Sequence, residues 1–486
     1  MPKMTRRTLL AGAGGSLALP VLDWRAAADT PAAADTRAVP AGRRPNIVFI
    51  LADDLGYADL SCYGRPDFAT PNIDRIAAGG LRFLQAYANS AVCSATRTAL
   101  ITGRYQDRLA IGLEEPLAAK VAGLPPSHPT LPSILRDAGY RTALVGKWHL
   151  GFLPDYGPLK SGYQHYYGIR GGAADYVRHD QSLFSEDVQA HEAGYLTDLF
   201  GDHAVRLIAD FATRPDAFLL SLHFTAPHWP WEAPGPAGEA ESARLAAKHD
   251  PEALGDFDGG DQKTYAAMVT RMDMQVGRVL DALDGAGVAD DTIVIFTSDN
   301  GGERFADTWP FTGKKTDLLE GGLRIPAVLR WPRRVAPGST SDQVMISMDW
   351  LPTLAAAAGT RPDPAYPSDG ISLLDHLAPG VPDVPRTLYW RYLNKDQRAV
   401  RDGNWKYLAI MGNSFLFDVV ADPLERANRK ERDRDVFGRL VTQWQAWNAS
   451  MLPFTHSNYS YSLSGEDLAD HYGAPGTIEG GERSVR

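Results

Sequence analysis

Cysteine is nearly absent from this chain of 486 residues, which has only Cys62 and Cys93. Two are too few for the disulfide framework that holds small secreted folds together, and a single bridge formed after export is the most they could supply. The fold must therefore rest on apolar burial, for which 44% hydrophobic against 22% charged residues is ample. Basic excess is absent as well. With 49 Lys and Arg against 59 Asp and Glu, the formal charge is -10. That excludes a general attraction to nucleic acid or to an anionic bilayer, so an anionic ligand must be captured by a local cationic pocket. Beyond the N-terminus no segment offers the roughly 20 unbroken apolar residues that span a bilayer, and no stable membrane insertion is expected. No internal repeat is evident.

The N-terminus reads as a targeting segment. Arg6-Arg7 precede an apolar, Gly/Ala-rich stretch from Leu9 to Leu22 and the small-residue run Ala26-Ala27-Ala28. Residues 1–28 resemble a twin-arginine signal peptide, which implies export to the periplasm or beyond. The Pro/Ala-rich residues 29–44 read as a flexible lead.

Asn46 to Ala52 (NIVFILA) is a short, β-branched apolar run without alternation, the mark of a strand buried on both faces. It ends in Asp53-Asp54. Similar runs follow: Thr142 to Val145 before Gly146-Lys147-Trp148-His149, Phe218 to Phe224 before Pro227-His228, and Thr292 to Phe296 before Ser298-Asp299-Asn300. Helix patterns lie between them over Asn72 to Gly79, Thr130 to Gly139, Thr197 to Ala212 and Lys263 to Gly285. Strands alternating with helices predict an α/β fold with a mostly parallel central sheet flanked by helices, whose ligands sit at the carboxyl ends of the strands. The ionisable residues just named occupy those ends.

After about Gly370 the pattern changes to short strand candidates at Thr387 to Tyr392, Arg398 to Val400, Trp405 to Leu408 and Phe415 to Val419. They predict a smaller C-terminal antiparallel sheet. The expected organisation is a catalytic domain over 45–370, an α+β subdomain over 371–462 and a tail over 463–486. The charged stretch Glu425 to Asp435 reads as a solvated helix face or loop.

Two adjacent carboxylates at one strand end and an Asp-Asn pair at another supply hard oxygen ligands, which suit Ca²⁺ or Mg²⁺ better than zinc. The segment Cys93-Ser94-Ala95-Thr96-Arg97, continuing to Thr102-Gly103-Arg104, is the most informative in the chain. It resembles the signature of the formylglycine-dependent sulfatase family, of the alkaline phosphatase-like superfamily. Matches to that family spread over nearly the whole mature chain: Ala52-Asp53-Asp54-Leu55-Gly56, Thr70-Pro71-Asn72-Ile73-Asp74, Gly146 to Gly151, Ala226-Pro227-His228, Ser298 to Gly302, and Lys315 followed by Glu320 to Pro326. Ala95 stands where many members carry proline.

The resemblance implies hydrolysis of sulfate monoesters by a nucleophile made when Cys93 is oxidised to formylglycine. It assigns Asp53, Asp54, the modified Cys93, Asp299 and Asn300 to a calcium ion, with magnesium as the other candidate. Arg97 is implied to hold the oxygens around the metal, Lys147 to reach the sulfate, and His149 to be the base that releases it. His228 becomes a candidate general acid and Lys315 a cation on the leaving-group side. Lys147 and His149 are two apart, so on an extended chain they would share a face. A formylglycine-generating enzyme is implied as maturation partner, acting on a chain that folds in the reducing cytoplasm with Cys93 free. Trp229 and Trp231 beside His228, Tyr176 to Asp180, and Trp390 to Tyr392 could line a subsite or simply pack. The expected substrate is a sulfated small molecule or glycan, with a carbohydrate sulfate ahead of an aryl sulfate. A phosphonate monoester or phosphodiester hydrolase on the same fold, and an inactive sulfatase-like binding protein, are the competing readings.

Overall fold

The computed structural model describes residues 44–116, 122–248, 259–378, 380–455 and 458–461. The expected signal segment, all of the lead except Arg44, and the tail from 463 lie outside them.

Strand β1 (Asn46–Ala52) is buried at all seven positions, as a strand covered on both faces must be. Helix α1 (Pro71–Ala78) starts with proline, whose missing N–H costs nothing there. After β2 (Leu81–Phe83) and β3 (Ala86–Tyr87) comes α2 (Cys93–Thr102), which Gly103 ends in the left-handed region. Helix α3 (Leu131–Asp137) is opened by a capping box in which Thr130 accepts from the Ser133 N–H. Then follow β4 (Arg141–Gly146), β5 (His165–Ile169), β6 (Leu183–Ser185), β7 (Val188–Gln189), α4 (Leu196–Ala212), β8 (Phe218–His223) and α5 (Pro236–Ala247). Helix α6 (Gln262–Gly285) leads to β9 (Thr292–Ser298), α7 (Glu320–Leu323), β10 (Ala327–Arg330), β11 (Ser339–Ser341), β12 (Met345–Ile346) and α8 (Trp350–Ala357). The chain continues through β13 (Thr387–Tyr392), β14 (Gln397–Asp402), β15 (Trp405–Ile410), β16 (Asn413–Asp418) and α9 (Arg434–Asn448).

Ten strands form one sheet in the order β11-β2-β10-β9-β1-β8-β4-β5-β6-β7. Its centre, β9-β1-β8-β4-β5, is parallel throughout, while β10, β6 and β7 pair antiparallel on the flanks. Alternation along β1 sorts its side chains between two cores. Val48, Ile50 and Ala52 face α1, α4 and α6, whereas Ile47, Phe49 and Leu51 face the layer of α3 and α8. Each large side chain so buried contributes about 1.5–3 kcal/mol, which is what keeps the parallel centre sealed on both faces.

Strands β13 to β16 form the expected antiparallel sheet. Together with α9 it packs on Val92, Ala95 and Ala99 beside and within α2, so the helix that starts at Cys93 is wedged between the two sheets. The stretch Glu425 to Asp435 departs from its expected solvated character at its first residue. Glu425 is buried and lies 3.0 Å from Lys406 Nζ, while its other oxygen accepts the Glu320 N–H at 2.6 Å. Lys406 on β15 is fully buried and also donates to Glu320 at 2.9 Å. A buried ammonium requires such partners, and this one ties the small sheet to the segment carrying Lys315. Among the described residues no helix is long and apolar enough to cross a membrane.

Candidate active site

In the sheet β9 lies beside β1, and β4 lies on the other side of β1 across β8, so their carboxyl ends bring together residues far separated in sequence. Asp53 and Asp54 leave β1, and Asp54 sits in the left-handed region with φ 62°, turning its carboxylate under β9. There its N–H donates to Asp299 Oδ1 at 3.2 Å, and its Oδ1 accepts from Asn300 Nδ2 at 2.7 Å. Helix α2 begins at Cys93, so its unpaired first-turn N–H groups add positive potential on that side.

Ligand atoms of Asp53, Asp54, Cys93 and His228 all lie within 4.8 Å of one another. Asp53 Oδ1 and Asn300 Oδ1 are buried with no hydrogen-bond partner among the described residues. Two orphaned oxygens facing a knot of carboxylates are costly in a protein interior unless a cation meets them. The donor set of carboxylate and amide oxygens therefore fits a hard dication such as Ca²⁺ or Mg²⁺.

Three fixed cations balance three carboxylates here. Arg97 Nε donates to Asp299 Oδ2 at 3.0 Å, and Arg97 Nη1 donates to the Lys147 carbonyl at 3.2 Å. Lys147 Nζ lies 2.5 Å from Asp53 Oδ2, and Lys315 Nζ lies 2.7 Å from Asp54 Oδ2. Asp299 is pushed up to about 6 by burial, with the charge of Asp53 adding to the shift. Burial likewise holds the Cys93 thiol well above its ordinary range, so as a thiol it is a poor nucleophile. Cys62 and Cys93 are both free, and no disulfide joins them.

The two histidines stand apart. His228 Nδ1 donates to the Trp229 carbonyl at 2.6 Å, which leaves Nε2 facing Asp54 Oδ2 at 3.6 Å. Among the described residues neither ring nitrogen of His149 has a hydrogen-bond partner, and its Nε2 is 3.6 Å from Glu115 Oε1. Both rings are held well below the usual histidine range by burial first. The charge of Lys147 follows for His149, and that of Lys315 for His228.

All ten candidate site residues converge on this pocket, but not all by the expected route. Lys147 and His149 do not share a strand face: β4 ends at Gly146 with φ 113°, and His149 is left-handed with φ 56°. The left-handed backbone at Gly146 and His149 aims both inward where alternation was expected to. Trp390 is fully buried and donates to the Ala88 carbonyl, so it packs the core and lines no subsite. Tyr176 is also core, its hydroxyl donating to the His228 carbonyl at 2.9 Å. Trp231 packs edge-on against Phe305, whereas Trp229 stays partly exposed beside His228.

Three further residues belong to the pocket. Glu115 and Glu303 are buried carboxylates, and the Tyr461 ring lies 5.0 Å from Lys315 Nζ. Glu303 could have been noticed as the first ionisable side chain after Ser298-Asp299-Asn300. Nothing local marks Glu115 or Tyr461, which the fold alone brings in.

Known proteins similar to this chain include sulfatases. A family model described as Sulfatase matches residues 45–360. The chain is 33% identical over 424 residues to Arylsulfatase A of Homo sapiens, covering 78% of each protein. It is 32% identical over 399 residues to N-acetylgalactosamine-6-sulfatase of Rattus norvegicus, covering 76% of this chain and 72% of the relative. The crystal structure described as Ps i-CgsB in complex with k-i-k-neocarrahexaose superposes with a TM-score of 0.76 at 27% identity, over 88% of this chain and 98% of that one.

Proposed function

The chain belongs to the sulfatase family and is a sulfuric ester hydrolase, and from that premise we propose that it cleaves a carbohydrate sulfate monoester with a formylglycine made from Cys93. The observation that carries the proposal is the convergence of Asp53, Asp54, Cys93 and His228 within 4.8 Å beside the unpartnered oxygens of Asp53 and Asn300. When present, the oxidised residue supplies the nucleophilic oxygen, and the dication held by Asp53, Asp54, Asp299 and Asn300 lowers that oxygen's proton affinity.

The chain's own side chains do the rest. Lys147, fully buried against Asp53, presents its charge to the sulfate oxygens. Arg97 holds Asp299 and the Lys147 backbone in register. His149 is neutral, with neither ring nitrogen hydrogen-bonded among the described residues, and is thus free to accept a proton in the step that releases sulfate. On the other side of the metal cluster, Lys315 stabilises charge growing on the departing alcohol oxygen. His228 Nε2, 3.6 Å from Asp54 Oδ2, faces the same region and in its protonated form donates to that oxygen. Hydrolysis then yields an alcohol and inorganic sulfate.

The carbohydrate assignment is supported by Trp229, partly exposed beside His228, and by the carbohydrate named for two of the similar proteins. The proposal includes maturation by a formylglycine-generating enzyme and export through the segment that begins with Arg6-Arg7.

Protein from a host that carries out the oxidation is the material for the test. Mass spectrometry of the Cys93 peptide should show thiol-to-aldehyde conversion, and chelation should abolish turnover of a sulfate ester until calcium is restored. Fully active protein with an unmodified Cys93, or turnover indifferent to chelation, overturns the proposal.

A further inference from the structure

The sulfate end of the pocket is occupied by cations and metal ligands; the alcohol end, beyond Lys315, is lined differently. Glu303 is 3% exposed, and neither of its oxygens has a hydrogen-bond partner among the described residues. The Lys315 N–H donates to the carbonyl of Gly302, the residue before Glu303, at 3.0 Å, so the backbone holds Glu303 next to the leaving-group lysine, whose charge acts on its carboxyl most strongly after burial. The Tyr461 ring covers the same lysine at 5.0 Å, and Glu303 is the charged group that most affects the Tyr461 hydroxyl after burial. The segment carrying Tyr461 is firmly held. Glu115 accepts the Tyr461 N–H at 3.0 Å and donates its own N–H to the Tyr459 carbonyl at 3.0 Å, while Asn394 donates to the Tyr461 carbonyl at 2.7 Å. Trp229 completes the wall, its ring 6.4 Å from that of Tyr461 and its indole N–H without a hydrogen-bond partner among the described residues.

A buried carboxylate with both oxygens unsatisfied costs several kcal/mol if nothing ever meets it. It does not ligate the metal cluster, which is formed without it. What fits two acceptor oxygens in a pocket walled by aromatic rings, next to the cation that receives the alcohol oxygen, is a ring bearing hydroxyl donors beside the ester.

Resting on the sulfatase reading, we infer that Glu303 is a specificity-determining residue that accepts a hydrogen bond from a substrate hydroxyl neighbouring the ester. The alcohol released is thus a polyhydroxylated ring and not an aryl or steryl alcohol. An apolar alcohol would leave Glu303 buried and unpaired, and a site built to bond a hydroxyl rejects analogues that lack one.

The test uses the full-length, calcium-loaded enzyme with 4-nitrophenyl sulfate, a panel of monosulfated hexoses, and deoxy analogues of the best hexose lacking one neighbouring hydroxyl. The wild type should prefer one hexose sulfate to the aryl ester, and one deoxy analogue should lose most of that preference without any mutation. Glu303→Ala should lower kcat/KM for that hexose sulfate by about 10- to 100-fold, the range for one charged hydrogen bond, mainly through KM. Glu303→Gln, which keeps an acceptor oxygen, should recover part of the loss. Both variants should lose much less on the aryl ester than on the hexose sulfate, and their circular dichroism and thermal midpoints report that they are folded. Both esters need Lys315, so an effect exerted through that lysine would lower them alike. Equal losses on the two esters, or a wild-type preference for the aryl ester, overturns the inference and leaves the sulfatase reading standing. Failure to cleave any sulfate ester would overturn that reading itself.

Discussion

Replacing Lys315 by methionine keeps most of the side-chain volume and removes only the charge, so its consequences can be worked from one contact. Lys315 Nζ is 2.7 Å from Asp54 Oδ2, and both side chains are 2% exposed. At an effective dielectric of 20 that pair attracts by about 6 kcal/mol before desolvation is subtracted. Removing one partner of a buried pair costs about 3–5 kcal/mol, because the other charge stays buried and unpaired. Asp54 would keep the Asn300 amide at 2.7 Å and a neutral His228 at 3.6 Å, neither of which supplies positive charge. In chelator, Lys315→Met should therefore lose stability on the order of 3 kcal/mol or more. A bound dication meets Asp54 directly, so calcium should erase much of that loss. By linkage the variant should then bind calcium more tightly than the wild type by the same free energy. Denaturant titrations in chelator and in excess calcium measure the first quantity, and calorimetry of calcium binding measures the second. Turnover of a sulfate ester should fall by about 10²- to 10³-fold even in calcium, since the charge facing the leaving group is gone. Equal destabilisation with and without calcium would refute the reasoning, because Asp54 would then not be shared between Lys315 and a metal.

Glu232 is held up to about 9, by burial first and by Asp175 next, from an ordinary value of 4.5. Between those values the folded protein keeps a proton that the unfolded chain releases, so stability should fall as pH rises across the window. Glu232→Gln mimics the neutral acid, and its advantage over the wild type should grow from pH 6 to 8.5 by at most about 1.4 kcal/mol per unit; parallel urea-midpoint profiles would contradict this. Gly146→Ala places a Cβ 1.8 Å from the His223 carbonyl oxygen at φ 113°, beside the bond that oxygen accepts from the Lys147 N–H. It should cost on the order of 3 kcal/mol or more and displace Lys147, and an unchanged thermal midpoint with full turnover would refute it.

What the amino-acid order determined is what local pattern can encode. Unalternating β-branched runs such as Asn46 to Ala52 can only be strands covered on both faces, and Asp53, Lys147 and Asp299 at or just past strand ends mark which edge of the sheet does chemistry. The motif around Cys93 carried the family. Only the tertiary structure decided which of these residues touch. Asp54 and Asn300 meet across 246 positions and Lys315 and Asp54 across 261, because β9 lies beside β1 in the sheet, and the register of parallel strands joined by helical crossovers has no local signature. The same reason hid Glu115, Glu425 and Tyr461. A lone acid or tyrosine in a polar stretch looks solvated until distant segments fold over it, and its burial is then set by what covers it rather than by its neighbours in the chain.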